Sequence, residues 1–137
     1  MPPRVVIDPN VWISGLINPS GTPARVIAAA AAGGFSVVIS RRLLDELATV
    51  LARPKFRRWI TLSDAIAFID ALEREAELRP DPVAVPRRIR DVDDDYLAAL
   101  AEANKATIVT GDDDLLTAGL QPPAVTPRHL LDSLAQV

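Results

Sequence analysis

The chain contains no cysteine, which rules out a disulfide framework and a thiolate metal site and fits a reducing compartment. Its one histidine is His129; a lone histidine beside an arginine near the C-terminus is usually structural or solvated, and none of the catalysis is assigned to it. Lysine occurs only as Lys55 and Lys105, so chemistry that needs a lysine late in the chain has few candidates. Long hydrophobic runs are also missing. The longest, Val26 to Phe35, is mostly alanine, is broken by Gly33-Gly34 and is too short to cross a bilayer. The opening Met1-Pro2-Pro3-Arg4 lacks the apolar stretch of a signal peptide. A soluble cytoplasmic protein with no membrane partner is therefore expected. Nor is there an excess of positive charge: the formal net charge is −3, which argues against a polycation that coats nucleic acid.

What is present fits one globular unit. At 137 residues, with 49% hydrophobic and 24% charged residues, the chain has enough apolar material for one substantial core, and residues 1–137 are expected to form a single domain. The charge is clustered. Arg41-Arg42, the group Arg53, Lys55, Arg57 and Arg58, and the group Arg87, Arg88 and Arg90 alternate with acidic stretches. Such clusters are most often solvated faces; the alternative is a basic rim that holds phosphates beside an acidic centre. The densest acid lies in Asp93-Asp94-Asp95, which opens an Ala/Leu-rich helical run, and in Asp112-Asp113-Asp114. Aspartates so close repel unless some cap helices or a cation sits among them.

The order of elements is legible in outline. Arg4 to Asp8 is a β-branched run without alternation, expected as a strand buried on both faces and halted at Pro9. Asn18-Pro19-Ser20-Gly21 is turn chemistry. A helix is expected from Pro23 to Ala32, closed by Gly33-Gly34, then a strand from Phe35 to Ile39. Ser40 should cap a helix running to about Arg53, before Pro54. Thr61 to Glu77 reads as a helix with Ala65, Ile66, Ile69 and Leu72 or Ala76 inward. Leu78 to Arg90, with Pro80, Pro82 and Pro86, reads as an extended connection. A helix from Asp93 to Asn104, a strand from Ala106 to Thr110, a short helix from Asp112 to Ala118, a small edge strand at Ala124-Val125 and a helix from Arg128 to Ala135 complete the chain. Short apolar strands alternating with helices imply an α/β fold, a three-layer sandwich around a parallel central sheet. Ligands bind such sheets beyond the strands' carboxyl ends, and Asp8 and Asp112 both fall there.

Helix geometry sorts the remaining acids. On a wheel of roughly 100° per residue, Leu43, Leu44, Leu47, Val50 and Leu51 form a stripe with Asp45 opposite it and Glu46 at its border. A carboxylate at that border either snorkels into water or has a partner. The wheel drawn on Leu97, Leu100, Ala101 and Asn104 puts Asp95 on the far side. Asp94 is the favoured inward carboxylate and Asp93, the expected N-cap, the second. Asp112 is nearest the strand end, Asp114 either caps the short helix or reaches the same site, and Asp113 is surface. Asp8, Glu46, Asp94 and Asp112 thus come from four separated segments toward one edge. Trp12, Trp59 and Tyr96 are expected in the core or an interface, with base stacking as the alternative.

These segments resemble the PIN-domain family, in particular the VapC-like ribonuclease toxins of bacterial toxin–antitoxin pairs and their toxin PIN relatives. The resemblance rests on Val5-Val6-Ile7-Asp8-Pro9-Asn10-Val11, on Ser40-Arg41-Arg42-Leu43-Leu44-Asp45-Glu46-Leu47, on Asp93 to Ala101, and on Ile108-Val109-Thr110-Gly111-Asp112-Asp113-Asp114-Leu115-Leu116. They occur in the family's order over nearly the whole chain. The resemblance implies the PIN-like, 5'-nuclease-like fold. It also implies that Asp8, Glu46, Asp94 and Asp112 hold Mg²⁺ or Mn²⁺, with Asp114 an auxiliary acid. Asn10, Thr110 and Asp93 would support them, the third acid being open to a one-residue slip among Asp93, Asp94 and Asp95. The implied activity is hydrolysis of RNA phosphodiesters by metal-activated water. The implied partners are an RNA substrate, a cognate antitoxin that inserts a basic segment near the acids, and a second copy of the chain. Arg41, Arg42, Arg57, Arg58, Arg87, Arg88 and Arg90 are candidate phosphate contacts.

The same resemblance is compatible with a PIN-fold nuclease for RNA processing or structured DNA. A phosphatase-like phosphoryl-transfer domain is the enzymatic rival. Haloacid-dehalogenase-like phosphatases resemble Asp8-Pro9-Asn10 and Gly111-Asp112, but they need an aspartate where Asn10 stands and a lysine late in the chain. Receiver domains need a lysine after a late strand, and Lys105 precedes its strand. A binding domain with an inert acidic edge is the non-enzymatic rival, separable by whether metal stabilises the protein.

Overall fold

A computed structural model describes residues 2–91 and 94–135; the expectations for Asp93 lie outside the described residues. The first strand, β1 (Arg4–Ile7), is as apolar as its sequence demands, with Val5, Val6 and Ile7 wholly buried. It pairs in parallel with β2 (Ser36–Ile39) on one side and β4 (Thr107–Val109) on the other, while β3 (Glu77–Leu78) extends the sheet beyond β2. The order is β3-β2-β1-β4. Val5 lies opposite both Val37 and Thr107, and Ile7 opposite Val109. Val125 adds one parallel bridge to Val109, exchanging hydrogen bonds of 2.9 Å with Ile108 and Thr110, where a small edge strand is expected from the sequence.

Helices flank this sheet: α1 (Pro9–Ile17), α2 (Thr22–Ala31), α3 (Arg41–Leu51), α4 (Leu62–Glu75), α5 (Asp95–Ala103), the short α6 (Asp113–Leu116) and α7 (Pro127–Ala135). α5 packs on β1 and β4, and α3 pairs with α4. The leucine stripe of α3 is the sequence pattern made solid: Leu43, Leu44, Leu47 and Leu51 are at most 1% exposed. Ser40 caps this helix by accepting from the Leu43 N–H at 3.2 Å, and Thr61 caps α4 in the same way at 3.0 Å. Gly33, at φ +81°, ends the turn after α2 in a backbone region that costs a side chain. One core runs from Val5 to Leu130, and among the described residues no helix is long and apolar enough to cross a membrane.

Four features differ from the sequence expectations. Pro9 does halt the strand, but it also starts α1, because a proline at the first helical position gives up no needed donor and Asp8 supplies the cap. α1 then lies so close to α2 that a Cβ on Gly15 would meet the Ile27 side chain at 2.5 Å. Residues Pro54–Arg58, to which the sequence assigns no element, form a 3-10 helix. α4 stops at Glu75, and Glu77-Leu78 becomes the edge strand, tied to β1 by the ion pair between Arg4 and Glu77. Ile66 is 54% exposed, while Ala65 and Leu72 carry the buried face of α4.

The topology selects one place for a ligand. From β1 the chain adds β2 and β3 outward on one side, then crosses to the other side for β4. The connections therefore diverge between β1 and β4, and a crevice opens there beyond the strands' carboxyl ends. Asp8 follows β1 directly, and Thr110-Gly111-Asp112 follows β4.

Candidate active site

Asp8 is buried, 4% exposed, and its carboxylate is fixed from two sides. Oδ1 accepts the Asn10 backbone N–H at 3.0 Å as the cap of α1, and Oδ2 accepts the Thr110 hydroxyl at 2.7 Å. The fully buried Thr110 oxygen in turn accepts the Asp112 N–H at 3.0 Å. One hydroxyl thus joins the ends of β1 and β4. Asn10 reaches Asp8 through its backbone, while its exposed side chain lines the cleft.

Asp94 stands at the entrance to α5 with no side-chain cap bond. Burial, then the negative charges of Asp8 and Asp91, then hydrogen bonding and repulsion from Asp112, push its carboxyl up to about 7. A proton or a cation must relieve that crowding. Asp112 is half-buried and uses Oδ1 to cap α6, accepting the Asp114 N–H at 3.0 Å. Asp114 is half-buried and contributes its backbone to that cap, and Asp113 is exposed.

Glu46 is half-buried at the border of the leucine stripe, and Asp45 is a surface charge paired with Arg41 at 3.7 Å. Glu46 has a partner that sequence reasoning missed: the buried Tyr96 hydroxyl donates to its Oε2 at 2.8 Å. Burial, followed by that bond to Glu46, raises the Tyr96 pKa far above its ordinary value, so it remains a donor. The Arg42 guanidinium lies 4.1 Å from the centre of the Tyr96 ring. The signal for this pairing was weak, since an aromatic next to an aspartate triplet looks like core.

Asp8, Asn10, Glu46, Asp91 and Asp94 line one open cleft of about 460 Å³, together with Thr49 farther along α3 and Arg53 just past its end. Asp91 and Arg53 are further residues absent from the expected site; Asp91 sits one turn before Asp94, whose N–H bonds its carbonyl at 3.0 Å. Asp112 reaches the group through Asp94, and neither Asp112 nor Asp114 lines the cleft. Among the described residues, no three His, Cys, Asp or Glu side chains are drawn together tightly enough to hold an ion as they stand. The donor set is nonetheless all hard oxygen, the kind that suits Mg²⁺ or Mn²⁺. A groove of about 510 Å³ between α2 and α4, lined by Trp12, Ile27 and Phe68, is apolar and collects none of these acids.

Asp95 departs from its expected place. It does not face solvent on the far side of α5; it is 3% exposed, because the proline-rich strap before the helix folds across that face. Its Oδ1 accepts the Arg88 and Ile89 N–H groups at 2.8 and 2.7 Å, which hold its pKa below the ordinary value. The candidate phosphate contacts divide accordingly. Arg41 pairs with Glu73 and Asp45, Arg87 with Asp95, Arg88 with Glu102, and Arg57 is spent on the Leu51 carbonyl. Among the described residues Arg42, Arg58 and Arg90 make no ion pair, and Arg58 packs over Trp59 at 4.8 Å.

Comparison with known proteins identifies the family and the fold. The PIN domain profile matches residues 4–114. An uncharacterized protein of Methanocaldococcus jannaschii, MJ1680, is 32% identical over 114 residues, covering 83% of this chain and 74% of the relative. The fold is similar to that of PAE2754 from Pyrobaculum aerophilum, with a TM-score of 0.67, 16% identity, and 98% and 90% of the two chains covered. It is also similar to VapBC2 of Rickettsia felis, solved with a DNA fragment from its promoter, with a TM-score of 0.61, 13% identity, and 89% and 96% covered. Mycobacterium tuberculosis VapC20, a Sarcin-Ricin loop cleaving toxin, gives 0.59, 16% identity, and 85% and 95% covered. With its profile match, its parallel sheet and the acids gathered at the switch point, the chain belongs to the PIN domain family, a family of nucleases.

Proposed function

We propose that this protein is a Mg²⁺- or Mn²⁺-dependent endoribonuclease of the cytoplasm, acting as the toxin of a toxin–antitoxin pair. The observation that carries the reading is the gathering of Asp8, Glu46, Asp91 and Asp94 on one open cleft with Asp112 beside Asp94, a crowding that lifts the Asp94 carboxyl to about 7. Asp8, Glu46, Asp94 and Asp112 would hold the ion, with Asp114 behind Asp112 and Asn10 and Thr110 orienting Asp8; Asp93 keeps a supporting role by resemblance alone. A bound divalent cation supplies a water of lowered pKa and charge stabilisation at the phosphorus. Everything else is positioning. Thr110 fixes the tilt of the Asp8 carboxylate, and Tyr96 fixes Glu46 across the cleft. Such outer partners are worth roughly 10–100-fold in metal affinity or activity.

The toxin role rests on the fold shared with VapBC2 and VapC20. It carries with it an antitoxin that presents a basic group to the acids, and a homodimer. The test is direct: purified protein is incubated with RNA and with single-stranded and duplex DNA, in Mn²⁺ or in EDTA. RNA cleavage in Mn²⁺ alone, lost in Asp94→Asn, is the expected result. Cleavage in EDTA, or no cleavage of any nucleic acid, contradicts the assignment.

A further inference from the structure

The acidic cleft is not acidic along its whole length. Glu46, Thr49, Val50 and Arg53 all line it, and their spacing of three, four and seven residues puts them on one side of α3. Arg53 sits just past the helix end but keeps the turn, its N–H bonding the Val50 carbonyl at 3.1 Å. By helical rise it lies roughly 10 Å along the axis from Glu46. In the opposite direction Arg42 precedes Glu46 by four residues, roughly 6 Å along the same axis. It rests on the Tyr96 ring whose hydroxyl holds Glu46. The two arginines therefore bracket Glu46 on one helix face.

Their freedom separates them from most of their neighbours. Among the described residues neither Arg42 nor Arg53 is in an ion pair, although Asp8, Asp45, Asp91 and Asp94 line the cleft that Arg53 also lines and that Arg42 adjoins through Tyr96 and Glu46. Arg41, Arg87 and Arg88 are each committed to a carboxylate. Arg42 is also pre-oriented, because stacking on Tyr96 fixes its plane and leaves its outer N–H groups for a second partner. Arg90 also makes no ion pair among the described residues, but it lies on the strap and not on α3.

We propose that α3 is the track for a single-stranded polynucleotide, with Arg42 and Arg53 each holding a non-reacting backbone phosphate on opposite sides of the one that faces the acids. This deepens the nuclease reading and rests on it. A cleft of about 460 Å³ has room for about one or two nucleotides of a single strand. Phosphates held on both sides make the cut internal. Arginine forks grip phosphate without reading bases, so the track itself imposes no sequence.

The test uses the intact chain and a labelled single-stranded RNA containing an internal cleavage site, with steady-state kinetics in Mn²⁺ over a range of salt. Arg42→Gln and Arg53→Gln are compared with wild type and with Arg128→Gln on α7, which packs against α2. Because the contacts are the same in the ground and transition states, Arg42→Gln and Arg53→Gln should each raise KM about 5–10-fold and leave kcat within about twofold. Each should also flatten the slope of log(kcat/KM) against log[salt] by about 0.7, and the double variant by about 1.4. Arg128→Gln should match wild type. Wild-type cleavage with unchanged slopes in both Arg42→Gln and Arg53→Gln overturns the track and spares the nuclease reading. So does a fall in kcat at constant KM, which would put these arginines in the chemistry or in the structure of the site. No cleavage by wild type removes both.

Discussion

Asp94 and Asp95 are neighbours in the chain and opposites in environment. Asp94 turns toward the sheet edge, where burial and three other carboxylates raise its pKa to about 7. Asp95 turns under the strap, where two backbone N–H groups and then Arg87 and Arg88 stabilise its charge and lower its pKa. The same functional group is destabilised in one place and satisfied in the other, which separates a group poised for a ligand from one already used in folding. The contrast also explains the position of Asp91. Asp95 anchors Arg88 and Ile89, Ile89 is buried, and the short stretch after them delivers Asp91 to the cleft beside Asp94.

The largest expected effect lies on the Asp94 side. Asp94→Asn, or Asp8→Asn, should lower Mn²⁺-dependent cleavage by at least ~100-fold with an unchanged circular dichroism spectrum; retained cleavage would mean that the crowded carboxylate is decoration. Tyr96→Phe is next. It keeps the buried ring and removes only the donor to Glu46, so Mn²⁺ affinity should fall roughly 10-fold while the thermal midpoint moves little. Unchanged affinity would show that Glu46 needs no orienting.

On the other side, Asp95→Ala leaves two strap N–H groups without their acceptor and should lower the thermal midpoint clearly. Asp95→Asn keeps Oδ1 as the acceptor of both bonds and should recover most of the loss. Equal damage from the two variants would assign the role to charge instead of hydrogen bonding. The strap also gives that comparison a functional arm, because releasing it frees Asp91, and Mn²⁺ affinity should fall in Asp95→Ala more than in Asp95→Asn.

Sequence carried the fold far and the site part of the way. β1, β2, β4 and the α3 stripe are legible because strands buried on both faces and amphipathic helices leave a periodic signature in one dimension. Placing Asp8 and Asp112 needs only strand ends and a parallel sheet. Glu46 at the stripe border and Asp45 outside it follow from the wheel. The wheel fails at Asp95 for a definite reason: periodicity tells which face meets the sheet, and it is blind to a distant segment covering the opposite face. Tyr96 and Asp91 are hidden by the same limit, since both take their places from contacts between segments. Pro9 is a different failure, one residue serving as strand stop and helix start together.

Proton linkage tests the contrast without a substrate. In metal-free protein the folded Asp94 keeps its proton to about 7, while the unfolded chain releases it near the ordinary 3.8. Between those values the folded state binds more protons, so the contribution of Asp94 is fully present below the unfolded value and is lost as pH rises through the folded one. Asp94→Asn should remove that decline and leave the protein more stable than wild type above pH ~7. Mn²⁺ should raise the wild-type midpoint most at high pH, where the carboxylate is ionised. A wild-type profile parallel to that of the variant would place the Asp94 pKa near its ordinary value.

The smallest expected effect is also the most specific. Arg87 reaches Asp95 Oδ2 at 3.3 Å, but its own side chain is 69% exposed, and an exposed arginine gains little from such a pair after screening and side-chain entropy. The two strap N–H groups are the larger causes of the lowered pKa of Asp95. Arg87→Gln should therefore leave the thermal midpoint unchanged within error, and the Asp95 carboxyl, followed by NMR titration, should still ionise below its ordinary range. If that titration instead returns to the ordinary range, the ion pair and not the backbone holds the charge, and Asp95 differs from Asp94 only in having a cation beside it.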